Sequence, residues 1–140
     1  MIAYFDTSAI VPLLINEAGT HSAGRIWDRA ERLVSVRLAR VEARAALAQA
    51  TRLGRISAQQ LRKSKRALDD LLAQLDLVEI DDELARRAGD LAERQALGAY
   101  DAVHLAAAER VLDVDTVVVA GDRALLHAAE AMRMTIAAIG

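Results

Sequence analysis

Four acidic residues stand at strand ends or in the first turns of predicted helices, and their chemistry is the first thing the sequence offers. Asp6 directly follows the strand-like run Met1–Phe5, and Asp122 stands a few residues past the run Thr116–Val119. In parallel sheets the carboxyl ends of the strands line the ligand crevice, so these two acids are placed to share one edge. Asp101 opens a predicted helix, Asp101–Arg110. Each of the three has a local explanation as a helix N-cap, a role worth about 1 kcal/mol. Glu42 differs. It shares an i, i+3, i+4, i+7 face with Leu38, Val41 and Ala45, which predicts a position on or beside a buried stripe. A carboxylate there is costly unless it is paired or binds a metal.

Several carboxylates gathered at a sheet edge repel one another, and a divalent cation resolves the repulsion. The chain has no Cys, and its three histidines, His21, His104 and His127, lack a metal-ligand spacing. All-oxygen ligation of this kind favours Mg²⁺ or Mn²⁺ over zinc. The matching chemistry is phosphodiester hydrolysis, in which one or two metals orient and activate a water and neutralise the phosphate. His104 lies three residues past Asp101 and is predicted to pack and hydrogen-bond to a neighbouring acid rather than act as a general base. Ser8 is placed to orient Asp6 or to cap a helix.

Composition narrows the frame around these residues. A chain of 140 residues suits one domain, 1–140, with its own core. Hydrophobic residues make up 54% and Pro is 1, which excludes a disordered or fibrous chain. Alanine (30), leucine (19) and arginine (16) dominate, so much of the chain should be helical. Only four aromatics, Tyr4, Phe5, Trp27 and Tyr100, are present, too few for a surface that reads several bases by stacking. There is no basic leader and no apolar run long enough to span a membrane, so a soluble cytoplasmic protein is expected. Glycine-rich phosphate loops and a G-x-S-x-G elbow are absent. The formal net charge of -2 conceals a division: Arg25–Arg66 carries 12 basic and 3 acidic residues, Ala67–Gly140 carries 6 and 15. A basic middle of this kind is compatible with a polyanionic partner, or with solvated helix faces and internal pairing.

The elements that must position the acids follow from periodicity and punctuation. Met1–Phe5 reads as a strand, followed by a short helix Ala9–Ile15 capped by Thr7-Ser8, and a second helix from Gly19-Thr20 to about Arg32. Leu33–Val36 reads as a strand, and Ala39–Leu53 as a helix closed by Gly54. The helix from Ser57 to Gln74 carries Leu61, Leu68, Leu71, Leu72 and Leu75 at helical spacing. The resulting hairpin is a candidate dimer or partner surface, or simply packs on the sheet. Leu77–Ile80 is strand-like, and the anions Asp81-Asp82-Glu83 open a helix to about Gln95, broken by Gly98. After Asp101–Arg110 and Thr116–Val119 come a helix from Arg123 to about Met132 and a last strand, Met134–Ile139. Strands alternating with helices predict an α/β fold with a mainly parallel sheet.

The opening Tyr4-Phe5-Asp6-Thr7-Ser8-Ala9-Ile10-Val11 resembles the start of PIN-domain ribonucleases, especially the VapC-type toxins of prokaryotic toxin–antitoxin pairs. Val34 to Glu42 resembles that family's second strand and acidic helix, Tyr100-Asp101-Ala102-Val103-His104-Leu105-Ala106 is similar to its third acidic motif, and Val117-Val118-Val119-Ala120-Gly121-Asp122-Arg123 resembles the fourth. The motifs follow family order from Tyr4 to Ala129. The resemblance implies a three-layer α/β/α PIN fold with about five strands. It implies that Asp6, Glu42, Asp101 and Asp122 together hold Mg²⁺ or Mn²⁺ and cleave RNA. It also implies a homodimer and an antitoxin that inserts near the acidic groove. Relatives usually carry Ser or Thr two residues before the last acid, where this chain has Ala120.

On this reading Asp6, Glu42 and Asp101 hold the principal metal and Asp122 supports it or completes a second site. Arg37, Arg40 and Arg44, nearest in sequence to Glu42, are expected to guide the RNA backbone. Two other classes compete. One is a catalytically silent PIN-like module that binds RNA or protein. The other is a phospho-receiver, which needs an early acid pair and a late lysine, whereas only Asp6 is early and Lys63 and Lys65 are mid-chain. A DNA-directed nuclease is chemically close to the RNA-directed one.

Overall fold

A computed structural model describes all 140 residues. Five strands, β1 (Ile2–Phe5), β2 (Arg32–Val36), β3 (Asp76–Val78), β4 (Thr116–Ala120) and β5 (Thr135–Ala138), form one sheet in the order β3-β2-β1-β4-β5. Every pairing is parallel. Successive side chains of a strand point to opposite faces, and both faces are covered, so the strands are apolar almost throughout. In β1, Tyr4 belongs to one core cluster, while Ala3 and Phe5 belong to the other. Val118 and Ala120 of β4 follow Tyr4, and Val119 follows Phe5.

Seven helices supply the outer layers: α1 (Thr7–Leu14), α2 (Thr20–Arg29), α3 (Leu38–Arg52), α4 (Ala58–Gln74), α5 (Asp82–Gln95), α6 (Ala99–Arg110) and α7 (Arg123–Ala131). Helices α1 to α4 cover the Phe5 face, where Phe5 meets Trp27 edge-on at 5.2 Å. Helices α5, α6 and α7 cover the Tyr4 face. The result is the expected three-layer α/β/α architecture. No helix is long and apolar enough to cross a membrane.

Most predicted elements are present, with several shifted ends. The first helix starts at Thr7, and its cap is Asp6, whose carboxylate accepts from the Ser8 N–H; Thr7 and Ser8 are already helical. The second helix stops at Arg29, because Arg32 already pairs with Ile2 in the sheet. The third strand is shorter than Leu77–Ile80 and leaves Ile80 exposed. The sixth helix begins at Ala99 with Gly98 as cap, so Asp101 lies in its first turn and caps nothing. Helix α3 buries Ala39, Ala43, Leu47 and Ala50, rather than the face of Leu38, Val41 and Ala45; Val41 is 64% exposed. Glu42 therefore borders the buried stripe. The predicted cap Gly54 has φ +75°, the left-handed conformation that closes a helix. Alanine performs the same duty at Ala96, with φ 52°, at the end of α5.

The leucine stripe of α4 is spent inside the molecule, while Leu53 between α3 and α4 stays exposed. Leu68, Leu72 and Leu75 are buried, and Leu61 and Leu71 pack against the same cluster. They pin the hairpin to the sheet. Charges pair across the predicted divide in the same way: Arg32 with Asp76, Arg37 with Glu79, and Arg40 with Asp69 at 3.0 Å.

Candidate active site

Strand order reverses at β1, with β2 on one side and β4 on the other, which makes the β1–β4 boundary the crevice of the carboxyl edge. Asp6 leaves β1 there, 4% exposed. Its Oδ2 receives two hydrogen bonds from Ser8, one from the backbone N–H at 3.0 Å and one from the hydroxyl. The same Ser8 hydroxyl accepts from the Gly121 N–H at 2.9 Å. Ser8 thus ties the loop that carries Asp6 to the loop that carries Asp122. Asp122 caps α7, its Oδ1 accepting from the Leu125 N–H at 3.1 Å. The capping and active-site readings of Asp6 and Asp122 are therefore not exclusive.

His104, 1% exposed, is the hub of the buried side of the site. Its Nε2 lies 2.6 Å from Glu42 Oε1, and its Nδ1 lies 2.9 Å from the Tyr4 hydroxyl and 3.3 Å from Asp6 Oδ1. Thr7 closes the network, its hydroxyl donating to Glu42 Oε1 at 2.8 Å. No buried side-chain nitrogen or oxygen is left without a partner. Burial opposes a charge on His104, but the hydrogen bond it donates to Glu42 and the charges of Asp6, Glu42 and Asp101 outweigh it and raise its pKa. Burial likewise opposes the Glu42 carboxylate, and the His104 and Thr7 hydrogen bonds with the imidazole charge hold its pKa below the ordinary value. Tyr4 is driven well above its usual range by burial and by Asp6 and Glu42, so it stays a neutral phenol.

Asp101 shows what the acids do to one another. Burial, then the charges of Asp122 and Asp6, push its carboxyl up to about 6, with Glu42 adding to the rise and His104 opposing it. The charges of the other three acids therefore all reach Asp101, second to burial. This does not make the four a finished ligand set, since no three acidic or histidine side chains converge closely enough to hold a metal ion as they stand. Glu42 in particular is turned to His104 and Thr7. The donor set nonetheless suits a hard divalent cation: it is all oxygen, half-buried, and crowded enough with negative charge to keep Asp101 protonated until about pH 6.

Sequence reasoning foresaw His104 as a packed partner of the acids, and Ser8 as the orienting group of Asp6. It missed Tyr4 and the bond of Thr7 to Glu42, because their partners lie 100 and 35 residues away. It also expected Arg37, Arg40 and Arg44 to guide the RNA backbone, and here the first two form exposed ion pairs. Their partners are Glu79 and Asp69, and of the three only Arg44 makes no ion pair. Ala120 is fully buried at the end of β4, so the site's hydroxyls come from Thr7 and Ser8.

Comparison with known proteins agrees with this architecture. Residues 3–132 match the PIN domain family. The chain is 40% identical over 136 residues to Ribonuclease VapC45 of Mycobacterium tuberculosis (strain CDC 1551 / Oshkosh), covering 97% of this chain and 94% of that one. Among solved structures it resembles PAE2754 from Pyrobaculum aerophilum, with 26% identity, a TM-score of 0.71, and coverage of 97% of this chain and 83% of that one. It shares its fold with VapBC-5 of Mycobacterium tuberculosis, a member of the VapBC family of toxin-antitoxin systems, at 17% identity, a TM-score of 0.64, and coverage of 99% and 98%. With its fold, its acids in family order and these matches together, the chain belongs to the PIN-domain family and, within it, to the VapC-type proteins.

Proposed function

We propose that this protein is a metal-dependent endoribonuclease, a single PIN nuclease domain acting as the toxin of a toxin–antitoxin pair. The observation that carries the reading is geometric: Ser8 ties Asp6 to the loop of Asp122, and His104, one turn past Asp101, bridges Asp6 and Glu42 at the carboxyl end of the sheet. The named ribonuclease relative and the toxin–antitoxin membership of a structural neighbour support the substrate class and the partner. A cognate antitoxin and a homodimer follow from the same kinship.

Asp6, Glu42, Asp101 and Asp122 would hold Mg²⁺, with Mn²⁺ as a substitute. A bound divalent cation supplies activation of water and neutralisation of charge on the phosphodiester. The chain's own residues do the rest. Ser8 holds Asp6 against rotation and fixes its distance to the Asp122 loop. His104, with Tyr4 and Thr7, holds Glu42 ionised and lies between it and Asp6 before substrate arrives. Release of Glu42 from His104 and Thr7 is the side-chain rearrangement that completes the site.

Incubating purified, antitoxin-free protein with RNA tests the reading, with Asp6→Asn as the control and circular dichroism to verify its fold. Metal-dependent cleavage lost in a folded Asp6→Asn variant supports it. Undiminished cleavage by that variant removes Asp6 from the assignment, and no cleavage by the parent leaves the catalytically silent binding module.

A further inference from the structure

Six large apolar side chains remain exposed: Val41, Leu53, Ile80, Tyr100, Leu112 and Val114. Leu53 closes the α3–α4 hairpin, and Leu112 and Val114 lie in the loop that enters β4. The placement of Val41 and Tyr100 is different. Each immediately precedes a site acid, Glu42 and Asp101, in the opening turns of α3 and α6, and the Glu42–His104 contact binds those two helices together.

Tyr100 is the aromatic of this pair. The other three aromatics are committed to the interior: Tyr4 and Phe5 are fully buried, and Trp27 packs edge-on against Phe5. Tyr100 alone keeps 66% of its surface exposed. It stands four residues before His104, so both occupy one face of α6 a single turn apart. His104 points from that face to Tyr4, Asp6 and Glu42. Long side chains on a helix lean toward its N-terminus, which sets the exposed Tyr100 ring at the N-terminal end of the face that carries His104.

We propose that Tyr100 is a substrate-positioning residue whose ring stacks a base of the RNA strand next to the scissile phosphate. The proposal rests on the endoribonuclease reading and specifies how that site holds its substrate. A phosphodiester seated among the acids brings an unpaired base within one nucleotide of the cut, and every base offers a π-face to an exposed ring. One ring does not read sequence; it selects unstacked, single-stranded RNA and sets the register of the cut.

The test pairs protein variants with base deletions. A single-stranded RNA oligonucleotide that the parent cleaves at one site is prepared with an abasic nucleotide at each position around the cut. Parent, Tyr100→Phe, Tyr100→Leu and Tyr100→Ala are assayed for KM and kcat, with melting curves to verify folding. The expected result is that one abasic position raises the parent's KM about tenfold or more. Tyr100→Phe should behave as the parent. Tyr100→Ala and Tyr100→Leu should start with the raised KM, keep kcat within about threefold, and be indifferent to that abasic position. Equal abasic sensitivity in parent and Tyr100→Ala overturns the proposal, and so does parental KM in Tyr100→Leu. RNA kinetics unchanged while the variant elutes at a different oligomeric state reassigns the ring to a protein contact and overturns it too. If the parent cleaves no RNA, anisotropy of a fluorescent single-stranded oligonucleotide in EDTA separates the two failures. Binding about tenfold weaker in Tyr100→Ala keeps the stacking role and drops the nuclease reading, whereas equal binding or none discards both.

Discussion

Replacing Asp101 with Asn is expected to stabilise the metal-free protein near neutral pH, which is the opposite of what removing an ordinary paired carboxylate does. The Asp101 carboxyl rises from 3.8 to about 6 because burial and the charges of Asp122 and Asp6 oppose its ionisation. A raised folded-state pKa means that the native state holds the proton more tightly than the unfolded chain. Its stabilising share is complete below the unfolded pKa and is lost as pH rises through the folded one. Two pKa units correspond to at most about 3 kcal/mol. The side chain is only partly buried, and solvent screening cuts this to about 1.5 kcal/mol. The dipole of α6 favours a charge in its first turn by about 0.3–1 kcal/mol and trims the gain further. The net expectation is about 0.5–1 kcal/mol at pH 7.5, or roughly 2–3 °C in melting temperature. Thermal melts in EDTA at pH 7.5, 5 and 4 should show the advantage of Asp101→Asn shrinking to about half at pH 5 and to about a fifth at pH 4. With Mg²⁺ the order should reverse, since a cation bound to the native parent stabilises it and the variant has lost a ligand. A variant less stable than the parent at pH 7.5 in EDTA, or a gain independent of pH, refutes the claim that burial and the neighbouring acids oppose ionisation of Asp101.

Two further substitutions probe the supports of the site. Ser8→Ala removes the hydroxyl that joins Asp6 to Gly121; Mg²⁺ affinity by calorimetry should fall about tenfold with the fold intact, as for other residues that orient a ligand. Unchanged affinity would show that Asp6 needs no such brace. His104→Ala strands the Tyr4 hydroxyl and one Glu42 bond around a buried gap, and denaturant unfolding should register a loss of about 2–4 kcal/mol. A loss below about 1 kcal/mol would mean that the network does not brace the native state.

What the sequence made legible was local. Four acids at element ends, strands written as short apolar runs and helices marked by caps and glycine placed the fold and the candidate site on the same edge. The shifted ends have physical causes that a local reading misses. Asp6 caps α1 itself, displacing Thr7 and Ser8 into the helix. Asp101 was read as a cap because it is an acid at a helix start, yet Gly98 begins that helix with backbone geometry alone. Glu42 does border the buried stripe, but that stripe runs through Ala39, Ala43, Leu47 and Ala50, and alanines carry little hydrophobic signal beside Leu38 and Val41. Distance along the chain hid the rest. Tyr4 with His104, Arg37 with Glu79 and Arg40 with Asp69 are pairings that only the sheet order and the hairpin bring about.

The most direct test of the account is RNA cleavage measured in parallel with EDTA, Mg²⁺ and Mn²⁺, using the parent and a folded Asp6→Asn variant. Discrete products that need the metal and disappear in Asp6→Asn are the predicted result. Cleavage that persists in EDTA, or in the Asp6→Asn protein, would contradict the central claim that these four carboxylates form one metal-dependent nuclease site.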